Sequence, residues 1–154
     1  MSEEFRIRPM AATDVDAVIS IAAGLRDAPH WPRSGYEAAL AQEGWPRRVA
    51  LVAEMGDSSI AGFMVAALIP PSAELESIAV APQVQRKGVA RELLRQLLHH
   101  IRSRQCSEIL LEVRPSNQAG LAFYEAIGFE ENGRRPGYYS HPVEDAVLMR
   151  LALR

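Results

Sequence analysis

The 154-residue sequence has a single cysteine, Cys106, so no internal disulfide can staple it. It has four histidines. His99 and His100 are neighbours on one helix and point in different directions; His30 and His141 fall in loops. No Cys/His cluster with metal-ligand spacing exists, and no metal is expected. The formal charge of −2 supplies no basic field to draw nucleic acid or an anionic membrane. The longest apolar run, Ala61 to Ile69, is too short to span a bilayer. The start, MSEEFRIRPM, lacks the apolar stretch of a secretory signal. Repeats, low-complexity tracts and linkers are absent too. The expectation is a soluble cytoplasmic protein, monomeric or weakly dimeric, with one domain over residues 1–154 and no nucleic-acid or membrane partner.

Nearly half of the residues are apolar (48%), enough for a core. FRIRP at residues 5–9 alternates as a short strand. Thr13 and Asp16 have capping-box spacing, and Val15, Val18, Ile19 and Ala22 then recur as on a helix. Pro29 and Pro32 break the loop GLRDAPHWPRSG, and a second helix is expected over Tyr36 to Gln42. RVALVAEM, IAGFMVAALI and ELESIAVA read as three strands, the first turn being GDSS. Val89, Leu93, Leu94, Leu97, Leu98 and Ile101 line one helix face. EILLEVR is a strand, and SNQAGLAFYEAIG a helix capped by Ser116 and stopped by Gly128. FEENGRR and DAVLMRLAL are final strands around the turn-rich PGYYSHP. The order is strand, two helices, three strands, helix, strand, helix, two strands: an α/β chain.

The segment PQVQRKGVARELLRQLL carries the first chemical signal. The first turn of a helix has backbone N–H groups without intrahelical partners, and the helix dipole adds positive charge there. Gly88 puts no Cβ in the way, Ala90 is small, and Arg86, Lys87 and Arg91 add full charges. Gln85-x-x-Gly88-x-Ala90 after a strand therefore reads as a diphosphate cradle. Taken alone, the same residues read more readily as a plain polar loop. It is neither a P-loop nor a Rossmann fingerprint.

SIAVAPQVQRKGVARELLRQLL followed by LLEVRPSNQAGLAFYEAIGF resembles the GNAT superfamily of acyl-coenzyme A-dependent N-acetyltransferases. Within it, LEVRPSN, AFYEAIGF and GYYSHPVEDAVLM are most similar to the RimI-type ribosomal-protein alanine N-acetyltransferases. The resemblance is dense over residues 75–153 and rests on element order and PHWPRSGYE before that. It implies a mixed central sheet, of α+β type, with splayed strands flanked by helices, and acetyl-CoA as co-substrate. It implies that the main chain of Ile78, Ala79 and Val80 pairs with the pantetheine arm. Gln85, Arg86, Lys87, Gly88, Val89, Ala90 and Arg91 would cradle the pyrophosphate, and Asn117 would bond the arm. Ala90 stands where many members have Gly, a difference of one methyl group.

Acetyl transfer to an amine needs a base for the amine, an acid for the departing thiolate, and a donor for the acyl oxygen, for which the Val80 N–H is the candidate. Glu112 lies in an apolar strand, on the face opposite Ile109, Leu111 and Val113. Periodicity leaves it as a sheet-face carboxylate paired with Arg114 or another basic residue. The resemblance aligns it with the general base. Glu76, expected on the face of Ile78 and Val80, is the rival. Tyr124 is a core aromatic by pattern and the general acid by resemblance. Tyr138 and Tyr139 would hold the acceptor by analogy with related enzymes, and the segment Trp31 to Tyr36 would form the opposite wall. The acceptor expected is a protein N-terminus, the Ala of a ribosomal small-subunit protein. A lysine, polyamine or amino-sugar acceptor and a non-catalytic acyl-CoA-binding module are the alternatives.

Overall fold

The computed structural model describes residues 4–41 and 43–153. Seven strands form one sheet in the order β1 (Phe5–Pro9), β2 (Arg47–Met55), β3 (Ile60–Ile69), β4 (Ser72–Val80), β5 (Glu108–Val113), β7 (Glu144–Ala152), β6 (Glu130–Tyr139). Only β4 and β5 pair in parallel; every other neighbour is antiparallel. α1 (Val15–Ala23) and α2 (Arg33–Leu40) follow β1, α3 (Val89–Arg102) joins β4 to β5, and α4 (Gln118–Ile127) joins β5 to β6. The mixed sheet flanked by helices and the element order agree with the sequence reading.

β3 is central and covered on both faces, which explains its unbroken apolar run. Its Phe63 and Val65 face α1 and α2; its Met64, Ala66 and Leu68 face the core under α3. Val89, Leu93, Leu94, Leu97 and Ile101 of α3 are buried there, each contributing about 1.5–3 kcal/mol. Leu121, Phe123, Tyr124 and Ile127 of α4 pack against the same core. Thus α3 and α4 cover one face, and α1 and α2 the other.

Local expectations needed correction at several helix ends. α2 begins at Arg33, directly after Pro32 at its cap position, and ends at Leu40; the expected end at Gln42 lies outside the described residues. The capping carboxylate before α1 is Asp14, which accepts from the Ala11 N–H at 2.8 Å, not Asp16. Arg8 holds Asp14 with two bonds, at 2.7 and 2.9 Å, and so keeps its carboxyl below its ordinary value. Asp16 pairs with Arg33 instead. α4 is capped by Asn117, whose Oδ1 accepts from the Gly120 N–H at 2.9 Å. Ser116, the expected cap, turns to Glu144, donating from Oγ at 2.8 Å. β6 runs on through Pro136 and Gly137 to Tyr139, so the turn is shorter than PGYYSHP.

The sheet's parallel contact is short. Ser72, Ala73 and Glu74 pair with Glu108, Ile109 and Leu110, and there the pairing stops. Both strands continue: β4 to Val80, β5 to Val113. A wedge-shaped gap opens between them. β4 also bulges: Leu75 pairs with Ala66 and Ser77 with Val65, which leaves Glu76 as an extra residue.

Candidate active site

A cavity of about 1160 Å³ occupies the gap between β4 and β5. One wall is β4 from Leu75 to Val80; the facing wall is β5 from Leu111 to Val113, with Arg114 beyond its end. Ala81 donates to the Ala61 carbonyl at 2.7 Å. Antiparallel pairs alternate, so this bond makes Val80–Gly62 and Ile78–Met64 the non-hydrogen-bonded pairs. The N–H and C=O groups of Ile78 and Val80 therefore turn away from β3, into the gap. Ala79 turns its own to Phe63, so it offers no main-chain partner there, against expectation. Gly62 permits the close approach behind Val80: a Cβ would come within 2.8 Å of the Ala79 carbonyl. Gln85 Nε2 donates to the Val80 carbonyl at 3.1 Å and ties the following loop to the strand end.

That loop ends the gap. Gln85, Arg86, Gly88, Val89, Ala90 and Arg91 all line the cavity. Gly88 is the N-cap of α3 at φ 86°, a left-handed conformation that a β-branched residue resists. A Cβ on it would meet nothing within 4 Å, so backbone angle rather than crowding selects glycine. No side chain caps α3, leaving its first-turn N–H groups directed outward. Lys87 is exposed and off the lining. Asn117, beyond the end of β5, also lines the cavity while serving as the α4 cap.

Two titratable groups reach the gap from opposite faces of the sheet. Ile109, Leu111 and Val113 are buried toward α3 and α4, so Glu112 projects from the α1–α2 face. Tyr124 comes from α4 on the other face and packs edge-on against Phe123 and Phe129, with ring centroids at 5.4 and 5.5 Å. Both Glu112 and Tyr124 line the cavity. Burial, and then the nearby Tyr139, push the Tyr124 phenol above its ordinary range, so it keeps its proton at neutral pH.

Glu76 does not share the face of Ile78. The bulge breaks the alternation, and its carboxylate accepts from Arg48 Nε at 2.7 Å. Arg48 pairs with Ala67 of β3, on the face opposite Met64, the partner of Ile78. Glu76 borders the cavity as a bridged carboxylate.

The β6–β7 hairpin frames the cavity on the side of Glu112. Tyr139 lines it; Arg114 sits 4.3 Å over its ring, and burial, then Glu112, push its phenol up to about 12. Tyr138, outside the lining, has its phenol pushed up, chiefly by its interaction with the Glu112 carboxylate and then by burial. Arg114 also donates to the carbonyls of Pro142 (3.0 Å) and Ser140 (3.2 Å) and to Glu144 (3.0 Å). Ser116 and then Arg114 hold Glu144 below the usual carboxylate range. Trp31 and Tyr36 lie away from the site. Tyr36 is fully buried against Phe63, and Trp31 packs on Tyr36 at 5.3 Å. The wall expected from them is supplied by Leu25, Arg26, Asp27, Ala28 and Pro29, just upstream. Arg135, absent from the sequence reading, lies 3.3 Å from Glu112.

A family profile described as "Acetyltransferase (GNAT) family" matches residues 18–129. The chain belongs to the GNAT acetyltransferase family. It is accordingly an N-acetyltransferase, and GNAT acetyltransferases use acetyl-CoA as co-substrate. A "[Ribosomal protein bS18]-alanine N-acetyltransferase" of Salmonella typhimurium is 38% identical over 99 residues, 63% of this chain and 67% of that protein. "N-alpha-acetyltransferase RimI" of Mycobacterium tuberculosis is 35% identical over 123 residues, 78% of this chain and 74% of that one. The crystal structure of the ribosomal-protein-S18-alanine N-acetyltransferase from Escherichia coli superposes with TM-score 0.81 at 30% identity, covering 97% of this chain and 94% of that one. None of the helices of this GNAT chain, among the described residues, is long and apolar enough to cross a membrane.

Proposed function

We propose that this GNAT enzyme transfers acetyl from acetyl-CoA to the α-amine of a protein N-terminus, the alanine of a ribosomal small-subunit protein. The names of its similar relatives support the acceptor, and one observation carries the chemistry: Glu112 and Tyr124 meet in one cavity from opposite sheet faces. An amine can approach from one face while the thiol departs on the other.

The gap fits the donor. Outward-turned groups of Ile78 and Val80 offer an extended arm the bonds that β5 has ceased to provide. The uncapped α3 start, with Arg86 and Arg91 around it, suits a diphosphate. Asn117 would add a bond to the arm from the β5 side. Acetyl-CoA, when bound, supplies an activated thioester acyl group. The Glu112 carboxylate takes a proton from the acceptor nitrogen, directly or through water; a free α-amine has a pKa of about 8, so much of it arrives protonated. The Val80 N–H donates to the acyl oxygen as that oxygen gains charge. The Tyr124 hydroxyl gives its proton to the departing sulfur. Tyr139 and Tyr138 flank the approach to Glu112, with residues 25–29 opposite.

Free-thiol release is the measurement. Glu112→Gln is expected to lower turnover of an alanine-initiated peptide by about 10²–10⁴-fold with acetyl-CoA binding intact. Glu76→Gln is expected to cost far less, since Glu76 is engaged with Arg48. The reverse ranking would move the base to Glu76. A preference for the same peptide with a blocked N-terminus and an added internal lysine would overturn the acceptor class.

A further inference from the structure

Glu112 already holds a cation. Its Oε1 lies 3.3 Å from Nη1 of Arg135, whose guanidinium sits over the Tyr138 ring. Arg135 pairs with Ala146 of β7 and Glu112 with Leu148, two residues apart, so register puts both side chains on one face of the sheet. We propose that Arg135 is a resident counter-ion that the acceptor's ammonium displaces from Glu112, so that this arginine sets how tightly an amine is held. The inference rests on Glu112 being the acceptor's partner.

Three features favour exchange over a permanent bridge. The Arg135 side chain is 55% exposed, and half-exposed pairs contribute little, so releasing it is cheap. Glu112 lines the cavity while Arg135 does not, so the guanidinium can leave to solvent without crossing the site. The Tyr138 ring, 5.0 Å from the guanidinium, gives the displaced cation a resting surface. Neighbouring arginines are committed elsewhere: Arg114 to Glu144 and the hairpin carbonyls, Arg48 to Glu76. Two cations competing for one carboxylate lower the apparent affinity of the incoming one by the fraction of carboxylate left free.

The probe is an alanine-initiated tetrapeptide amide titrated into the CoA-loaded protein by calorimetry, beside the same peptide with an acetylated N-terminus. Arg135→Gln is expected to tighten the free-amine peptide about two- to fivefold and to leave the acetylated one unmoved. Arg135→Lys, which keeps the cation, is expected to bind both peptides like the parent. In a Glu112→Gln background the Arg135→Gln gain should vanish. Weaker or unchanged binding of the free-amine peptide in Arg135→Gln overturns the proposal, as does equal tightening of both peptides. Full turnover in Glu112→Gln would refute the base instead. Lost turnover in Glu112→Gln without the Arg135→Gln gain would refute only the resident counter-ion.

Discussion

The two sides of the gap are made of different material. On the side proposed for the donor the groups offered are main-chain ones: the outward N–H and C=O of Ile78 and Val80, and the open first turn of α3. On the side proposed for the acceptor they are side chains in ionic and aromatic contact: Glu112 with Arg135, Arg135 with Tyr138, Arg114 with Glu144 and Tyr139. Backbone partners are fixed by strand register and by glycines, and tolerate most side-chain changes. Side-chain partners can be exchanged one at a time. On the proposed assignment, donor recognition is built to stay constant and acceptor recognition to vary.

The largest effect that would sharpen this contrast is at Tyr124, the side chain proposed to serve the donor's sulfur. Tyr124→Phe is expected to lower kcat by about a hundredfold or more while acetyl-CoA affinity, read by calorimetry, stays near that of the parent. An equal loss in both would mean that the phenol holds the donor as well as protonating it. Next is Gly88→Val. A β-branched residue at φ 86° costs on the order of 1–3 kcal/mol of strain, so the loop will rearrange and acetyl-CoA affinity should fall about tenfold. Circular dichroism checks the fold, and unchanged affinity would mean that the α3 start is not the anion cradle. The smallest effect belongs to Asn117, which straddles the comparison as cap and cavity wall. Asn117→Ala should cost about 1 kcal/mol of stability through the lost cap, seen as a lower Tm. Asn117→Asp restores an acceptor for the Gly120 N–H and should recover that stability. If the Asp variant recovers acetyl-CoA affinity too, the amide N–H₂ has no part in holding the donor.

The same contrast explains what could be read from the chain. Gly88, the α3 face and the order of elements along the chain follow from local pattern, because helix starts and periodicity are encoded by neighbours in sequence. Local pattern favours Ser116 as the α4 cap, but Glu144, twenty-eight positions away, takes its hydroxyl and the cap falls to Asn117. Glu76 obeys alternation on paper, and only the bulge against β3 turns it to Arg48. Tyr36 lies on an amphipathic stretch that fits a groove wall or a core equally well, and packing against Phe63 decides for the core. Arg135 gave no local signal at all, since its meeting with Glu112 needs β7 between them.

The brevity of the β4–β5 pairing has a further consequence. β1 to β4 come from the first half of the chain and β5 to β7 from the second, each set forming its own antiparallel half-sheet. Three residue pairs, from Ser72–Glu108 to Glu74–Leu110, zip the halves, with the Ser107 N–H to the Pro71 carbonyl at 2.7 Å just outside them. In sequence the halves meet at the segment 103–107 after α3. In the sheet, two consecutive fragments are thus joined along a short seam, while one shared core under α3 and α4 binds them together. A cut in that segment would leave each piece its own strand ladders, which makes it the natural place to divide the protein for fragment complementation.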